Sequence, residues 1–272
     1  MASANTLTAY RADWAHFTRW CRLKGLPPLP ANPEAIGLYL SDLAAPPDAA
    51  RPLTASTIER RLAGLVWNYG QRGFTLDRQD PPIASALAEI RRSHARPPAR
   101  KEAITQADIR AMIATLTYDL RGLRDRAILL LGYAGALRRS EIVSLDLHRG
   151  DTPDSRGWVE LPTTGSAWVT LDTRTGLRDI AIRRGPSDLS CPVHALEQWL
   201  HYARIQSGPI FVATSRDGTR VLDRRLNDKH VARLIKRTVL DAGLRPDLPE
   251  RDRLALFSGQ SLRVGPSRAG TT

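Results

Sequence analysis

Apolar side chains recur at helical spacing through the N-terminal part of the chain. Tyr10, Trp14, Phe17 and Cys21 fall on one helical face, and Arg11, Arg19 and Arg22 lie off it. Gly25 and the prolines at 27, 28 and 30 end this first helix. Asn32-Pro33-Glu34 opens a second, with a capping side chain followed by proline at the first helical position, and the pattern runs to about Leu43. An Ala/Pro-rich loop covers 44–52. A third helix starts near Thr54 and carries Ile58, Leu62, Leu65, Val66 and Tyr69 inward. A fourth follows Asp80-Pro81-Pro82 with Ile83, Leu87 and Ile90. Four short helices predict a compact all-α domain over 1–95.

Periodicity lapses over 91–101, where Arg91, Arg92, Arg96, Arg100 and Lys101 surround Pro97 and Pro98. This predicts a basic linker over 96–102 and a second domain over 103–272. Thr105-Gln-Ala-Asp108 is a capping signal that opens a helix. Residues 124–135 form a strongly apolar helix, and Arg138-Arg-Ser-Glu141 begins a polar one with Ile142 and Leu145 inward. The runs at 158–161, 168–171 and 179–183 predict a three-stranded antiparallel meander, with turns at 163–166 and 175–176. A short extended stretch at 209–212 separates helices at 191–206 and 226–243. The fold class is mostly α with a small antiparallel β-sheet.

Charge sharpens the picture. Lys+Arg number 40 and Asp+Glu 28, a net charge of +12. Such a surfeit attracts polyanions, and double-stranded DNA is the expected partner. Of the cations 36 are Arg and 4 are Lys, and the planar guanidinium fork suits phosphate. The 42% hydrophobic content excludes a disordered chain. No apolar run approaches the length of a membrane span, and the N-terminus lacks the plan of a signal peptide, so a cytoplasmic protein without membrane partner is expected. Cys21 and Cys191 make neither a disulfide framework nor a zinc site. The six histidines show no metal-ligand spacing, and Asp146 and Asp151 read as turn caps. No phosphate loop or dinucleotide fingerprint is present. No metal, cofactor or small-molecule substrate is expected.

Three stretches carry a family resemblance. Gly135-Ala-Leu-Arg138-Arg-Ser-Glu141-Ile-Val-Ser-Leu145 resembles the first arginine box of the tyrosine recombinases, the phage integrases. Thr173-Arg174-Thr175, followed by Arg178-Asp-Ile-Ala-Ile182, resembles their lysine-bearing β-hairpin, and Ser258-Gly-Gln260-Ser-Leu-Arg263-Val-Gly265 their His-x-x-Arg box. The resemblance implies a helical, SAM-like core-binding domain followed by a catalytic domain, the two clasping duplex DNA. It implies strand cleavage by a tyrosine hydroxyl, with Arg138 and Arg263 clamping the scissile phosphate and Glu141 bracing Arg138. Arg60, Arg61, Arg100, Lys101, Arg224, Arg225, Lys229 and Arg233 are expected to contact DNA, on charge and family topology.

The departures bear on chemistry. Arg174 stands at the position of the family lysine, and arginine is a poor proton donor. Gln260 stands at the position of the histidine and cannot exchange protons near neutral pH. No tyrosine follows Tyr202, and Pro266 and Gly270 oppose a continuing helix. The sequence therefore predicts a C-terminally truncated catalytic-type domain that binds recombination-site DNA but does not cleave it alone. Two alternatives stay open: a recombinase subunit served by a tyrosine from another chain, such as a full-length relative or a second copy on DNA, or the relic of an integrase gene.

Overall fold

The computed structural model describes residues 4–47, 51–94, 100–163 and 165–269. The chain divides into two compact units, Met1–Pro98 and Ala99–Thr272. The first is built from α1 (Ala4–Leu23), α2 (Pro33–Ala44), α3 (Ala55–Gly70) and α4 (Pro81–Ser93). Asn32 caps α2 through its side chain, which accepts from the backbone N–H groups of Glu34 and Ala35, and Thr54 caps α3 by accepting from Thr57. Phe17, Ile36, Tyr39, Leu40, Ile58, Leu62, Leu65, Tyr69 and Ile83 meet in one core. Arg91 and Arg92, expected at the edge of a linker, belong instead to the last turn of α4. Arg91 pairs with Glu59 on α3 and Arg92 with Glu89 one turn back. The rest of the expected linker falls on residues 95–99, outside those described, and on 100–102.

The second unit contains α5 (Gln106–Ala114), α6 (Leu120–Ala134), α7 (Arg139–Val143), β1 (Leu145–Asp146), β2 (Gly157–Glu160), β3 (Ala167–Thr173), β4 (Gly176–Ile182), α8 (Pro192–Ala203), β5 (Val212–Thr214), β6 (Val221–Arg225), α9 (Asp228–Asp241), α10 (Glu250–Leu256) and α11 (Gly259–Ala269). The antiparallel meander is present as β2-β3-β4, but β1 adds a fourth strand parallel to β2. Two residues directly after a helix carry no alternation, so the sequence gives no sign of β1. The expected extended stretch at 209–212 is one side of a hairpin, β5 with β6, whose register shifts between Val212 and Thr214. The apolar helix begins earlier than its apolar run, because Asp119 accepts a hydrogen bond from Gly122 N at 2.7 Å and caps it. Helix α8 stops at Ala203, where Arg204 adopts φ 54°. Helix α11 continues through Pro266 to Ala269, contrary to the expectation that the proline would stop it; the ring removes one backbone donor.

Helix α6 is the axis of this unit. Ile128, Leu129 and Leu131 are fully buried, and Trp199 of α8 packs in the same core while its Nε1 donates to Ile210 O at 2.6 Å. Gly132 lets two neighbours approach closely. A Cβ there would lie 2.7 Å from Ile142 Cδ1 of α7 and 2.7 Å from Leu262 Cδ2 of α11. These two helices carry the arginine boxes. Among the described residues no helix is long and apolar enough to cross a membrane.

Candidate functional site

The turn after α6 builds the first half of the site. Gly135 ends the helix, Ala136 turns the chain at φ 47°, and Leu137 is buried, which brings Arg138 to the head of α7. Glu141, one turn on, locks this arginine twice. Its Oε2 accepts from the Arg138 backbone N–H at 2.7 Å and its Oε1 from Nη1 at 2.6 Å. From α11, Arg263 reaches back to the same turn and donates through Nε to Ala136 O at 3.2 Å. Arg138 and Arg263, far apart in sequence, thus line one open cavity of about 420 Å³ with Arg139, Ser140, Asp228, Ser258, Gly259 and Gln260. Gln260 is exposed in its wall, and its backbone N–H donates to Ser258 Oγ at 3.2 Å.

The hairpin brings a second cation toward the first box. The Thr173↔Gly176 pairing puts Arg174 and Thr175 in the two-residue turn between β3 and β4. Arg174 is exposed there and is not part of the cavity wall. The arginine that reaches the first box is Arg178 of β4, whose Nη2 lies 3.3 Å from Glu141 Oε2. Glu141 therefore serves two guanidinium groups. In the sequence Arg178 stands out only as part of a motif, since its contact with Glu141 joins β4 to α7. Among the described residues no tyrosine lines this cavity.

A second basin of about 550 Å³ is lined by Arg121, Arg124, Thr214, Arg224, Arg225, Asn227, His230, Arg233 and Arg237, among others. Arg225, Arg124 and Arg237 of this basin face carboxylates, Arg237 reaching Asp125 at 3.0 Å. Arg225 donates to Asp146 at 2.6 Å, to Thr152 at 2.5 Å, to Asp154 at 3.0 Å and to the carbonyls of Val143 and Leu145. It ties β6 to the β1 region, where its charge meets that of fully buried Asp146. Arg124 is buried beside Asp125, at 2.8 Å, and also meets His230 Nε2 at 3.0 Å. Burial pushes the Asp125 carboxyl upward, but the hydrogen bonds and charges of His230 and Arg124 outweigh it and hold the group below its ordinary range. Arg225 holds Asp154 low in the same way. Arg224, Lys229 and Arg233 are exposed.

In the first unit, Arg60 and Arg61 are likewise turned to internal partners. Arg60 grips buried Asp13 of α1 at 2.5 and 2.9 Å, while Arg61 donates to the Tyr39 hydroxyl at 3.3 Å and is mostly covered. Through these contacts Arg60 and Arg61 join α3 to α1 and α2. Arg100 is exposed, and Lys101 donates to Ala255 O at 2.5 Å. Among the described residues no group of His, Cys, Asp and Glu could hold a metal ion.

Comparison with known proteins places the chain in a family. The Phage integrase family matches residues 102–263. The chain is 35% identical over 269 residues to the Integrase/recombinase xerD homolog of Selenomonas ruminantium, covering 96% of this chain and 72% of that protein. It is 32% identical over 144 residues to Tyrosine recombinase XerD of Ralstonia nicotianae, covering 52% and 42%. Its fold is similar to that in the crystal structure of a lambda integrase dimer bound to a COC' core site, with TM-score 0.52 at 16% identity, over 98% of this chain and 65% of that one. With its family match spanning both arginine boxes and a relative aligned along nearly its whole length, the chain belongs to the phage integrase family of tyrosine recombinases.

Proposed function

We propose that this protein binds double-stranded DNA at recombination sites, and that Arg138 and Arg263 clamp one backbone phosphate between them. The observation that carries the reading is their convergence, with Gln260, on one open cavity. Two guanidinium forks facing a phosphate bind its non-bridging oxygens and stabilise charge that builds on them. Glu141 fixes the direction of Arg138 by two hydrogen bonds and orients Arg178 beside it. Gln260 supplies a neutral donor to the same oxygens and no proton exchange. The exposed Arg224, Lys229 and Arg233 extend the positive surface along the duplex, and Arg100 adds to it near the start of the second unit. The helical first unit acts as the core-binding domain. The double helix is the partner; a full-length recombinase or a second copy on the same site would complete an assembly.

Cleavage needs an attacking oxygen held in line, within about 3–3.5 Å of the phosphorus. The cavity offers the hydroxyls of Ser140 and Ser258, which are far less acidic than a phenol, and among the described residues its wall holds no histidine or lysine to activate them. We infer that a polypeptide of these 272 residues binds without cutting. A nicked suicide duplex, read by denaturing gel and mass spectrometry, tests this. No covalent adduct is expected with the purified chain. An adduct on this chain, alone or with a full-length relative, would restore the catalytic reading, whereas an adduct on the relative alone would support an accessory role.

A further inference from the structure

The cavity holds a third arginine and one carboxylate that the clamp does not use. Arg139, the first residue of α7, has its Nη2 3.5 Å from Asp228 Oδ2, at the head of α9. Both side chains are partly exposed, 42% and 35%, and the pair is long. Such a pair is weakly held and open to exchange. Gly259 makes room for the arginine's stem. A Cβ at 259 would sit 2.5 Å from Arg139 Cγ and 2.8 Å from Cδ, so the arginine lies along the cavity wall because residue 259 is glycine. Asp228 is the acidic member of a wall that otherwise carries Arg138, Arg139 and Arg263.

We propose that Arg139 is a third phosphate-binding residue of this site, and that Asp228 occupies its guanidinium until a DNA phosphate displaces it. A phosphodiester entering the cavity meets three cations and one anion. It gains Arg139 only by taking the place of the Asp228 carboxylate. The cavity thus discriminates against weak anions, which do not displace Asp228, and favours a backbone phosphate already held by the other two arginines. The proposal rests on the phosphate-clamp reading above.

The test is a binding series on a fluorescent mixed-sequence duplex, read by anisotropy at one salt concentration. Arg139→Ala is expected to weaken binding about 5- to 20-fold, as for loss of a charge-assisted contact. Asp228→Asn is expected to tighten it about two- to fivefold, the worth of a half-exposed ion pair. Asp252→Asn, an exposed carboxylate of α10 outside the cavity, calibrates the general effect of removing one negative charge. In the Arg139→Ala background, Asp228→Asn should shrink to that general factor. An equal gain with and without Arg139 would overturn the displacement. Gly259→Ala keeps the charge but displaces the stem, and should weaken binding even if Arg139→Ala fails to fold. Unchanged affinity in both variants would sink the proposal. If Arg138→Ala also binds normally, the clamp reading fails with it; if Arg138→Ala binds poorly while Arg139→Ala binds normally, only the third-arginine role fails.

Discussion

The two arginine-lined basins of the second unit differ in where their positive charge is spent. In the basin around β6 and α9, Arg225 faces Asp146 and Asp154, and Arg124 and Arg237 face Asp125. Both Asp125 and Asp146 are fully buried. In the cavity at the head of α7, Glu141 takes one edge of Arg138 and leaves that side chain 56% exposed. The first arrangement neutralises buried carboxylates and holds strands to helices. The second orients a cation and keeps it open to an anion. A count of arginines therefore overstates the positive charge left open to an anion, and the position of each nearby carboxylate decides which role an arginine has.

This contrast predicts opposite mutational signatures. Asp125→Ala leaves Arg124 buried without its carboxylate and should lower stability by about 3–5 kcal/mol, measured by urea denaturation. The same carboxylate makes stability depend on pH. Its pKa is depressed in the folded protein, so its contribution is complete above its unfolded value near 3.9 and is lost as pH falls through the lower folded value. The stability gap between wild type and Asp125→Asn should therefore narrow as the solution is taken below about pH 4. Arg225→Ala strands Asp146 and should lower stability by about 2–4 kcal/mol, while changing duplex affinity less than Arg138→Ala does. An Arg225→Ala variant that melts normally but binds DNA poorly would reverse the assignment of the two basins. Arg138→Ala should weaken duplex binding by about 1–3 kcal/mol and leave the melting curve nearly unchanged.

The difference between the basins also marks the limit of what the sequence discloses. The helices of the first unit were readable because caps such as Asn32 and Thr54 stand directly before apolar repeats. The Arg138 and Arg263 boxes were readable because each is a compact run of residues, and the structure brings both to one cavity. The partner of a lone arginine is not local. Arg225 and Asp146 are joined only when β6 crosses the β1 region, and Arg60 meets Asp13 only when α3 lies on α1. Nothing along the chain distinguishes these arginines from Arg224 or Arg233. Strands β1 and β6 leave no mark in the sequence for a related reason, since short segments with few apolar positions give no period to detect. In the hairpin, the two-residue turn puts Arg174 at the tip and leaves Arg178 to reach Glu141, a choice set by strand register.

A smaller effect follows from the open basin alone. Duplex binding should weaken with salt at a slope of about −0.9 per phosphate contacted, and Arg138→Ala should reduce the slope by about one contact. Arg60→Ala, whose guanidinium is committed to Asp13, should leave the slope as it is. A reduced slope for Arg60→Ala would return that arginine to the DNA surface.

Convergence of Arg138 and Arg263 on one phosphate is tested most directly by a double-mutant cycle on duplex affinity, with Arg138→Ala, Arg263→Ala and the double variant measured at the same salt. Two groups that serve one phosphate are coupled, so the double variant should lose less than the sum of the single losses, by about 0.5 kcal/mol or more. Losses that add fully would show that the two arginines bind separate groups, and would contradict the shared site.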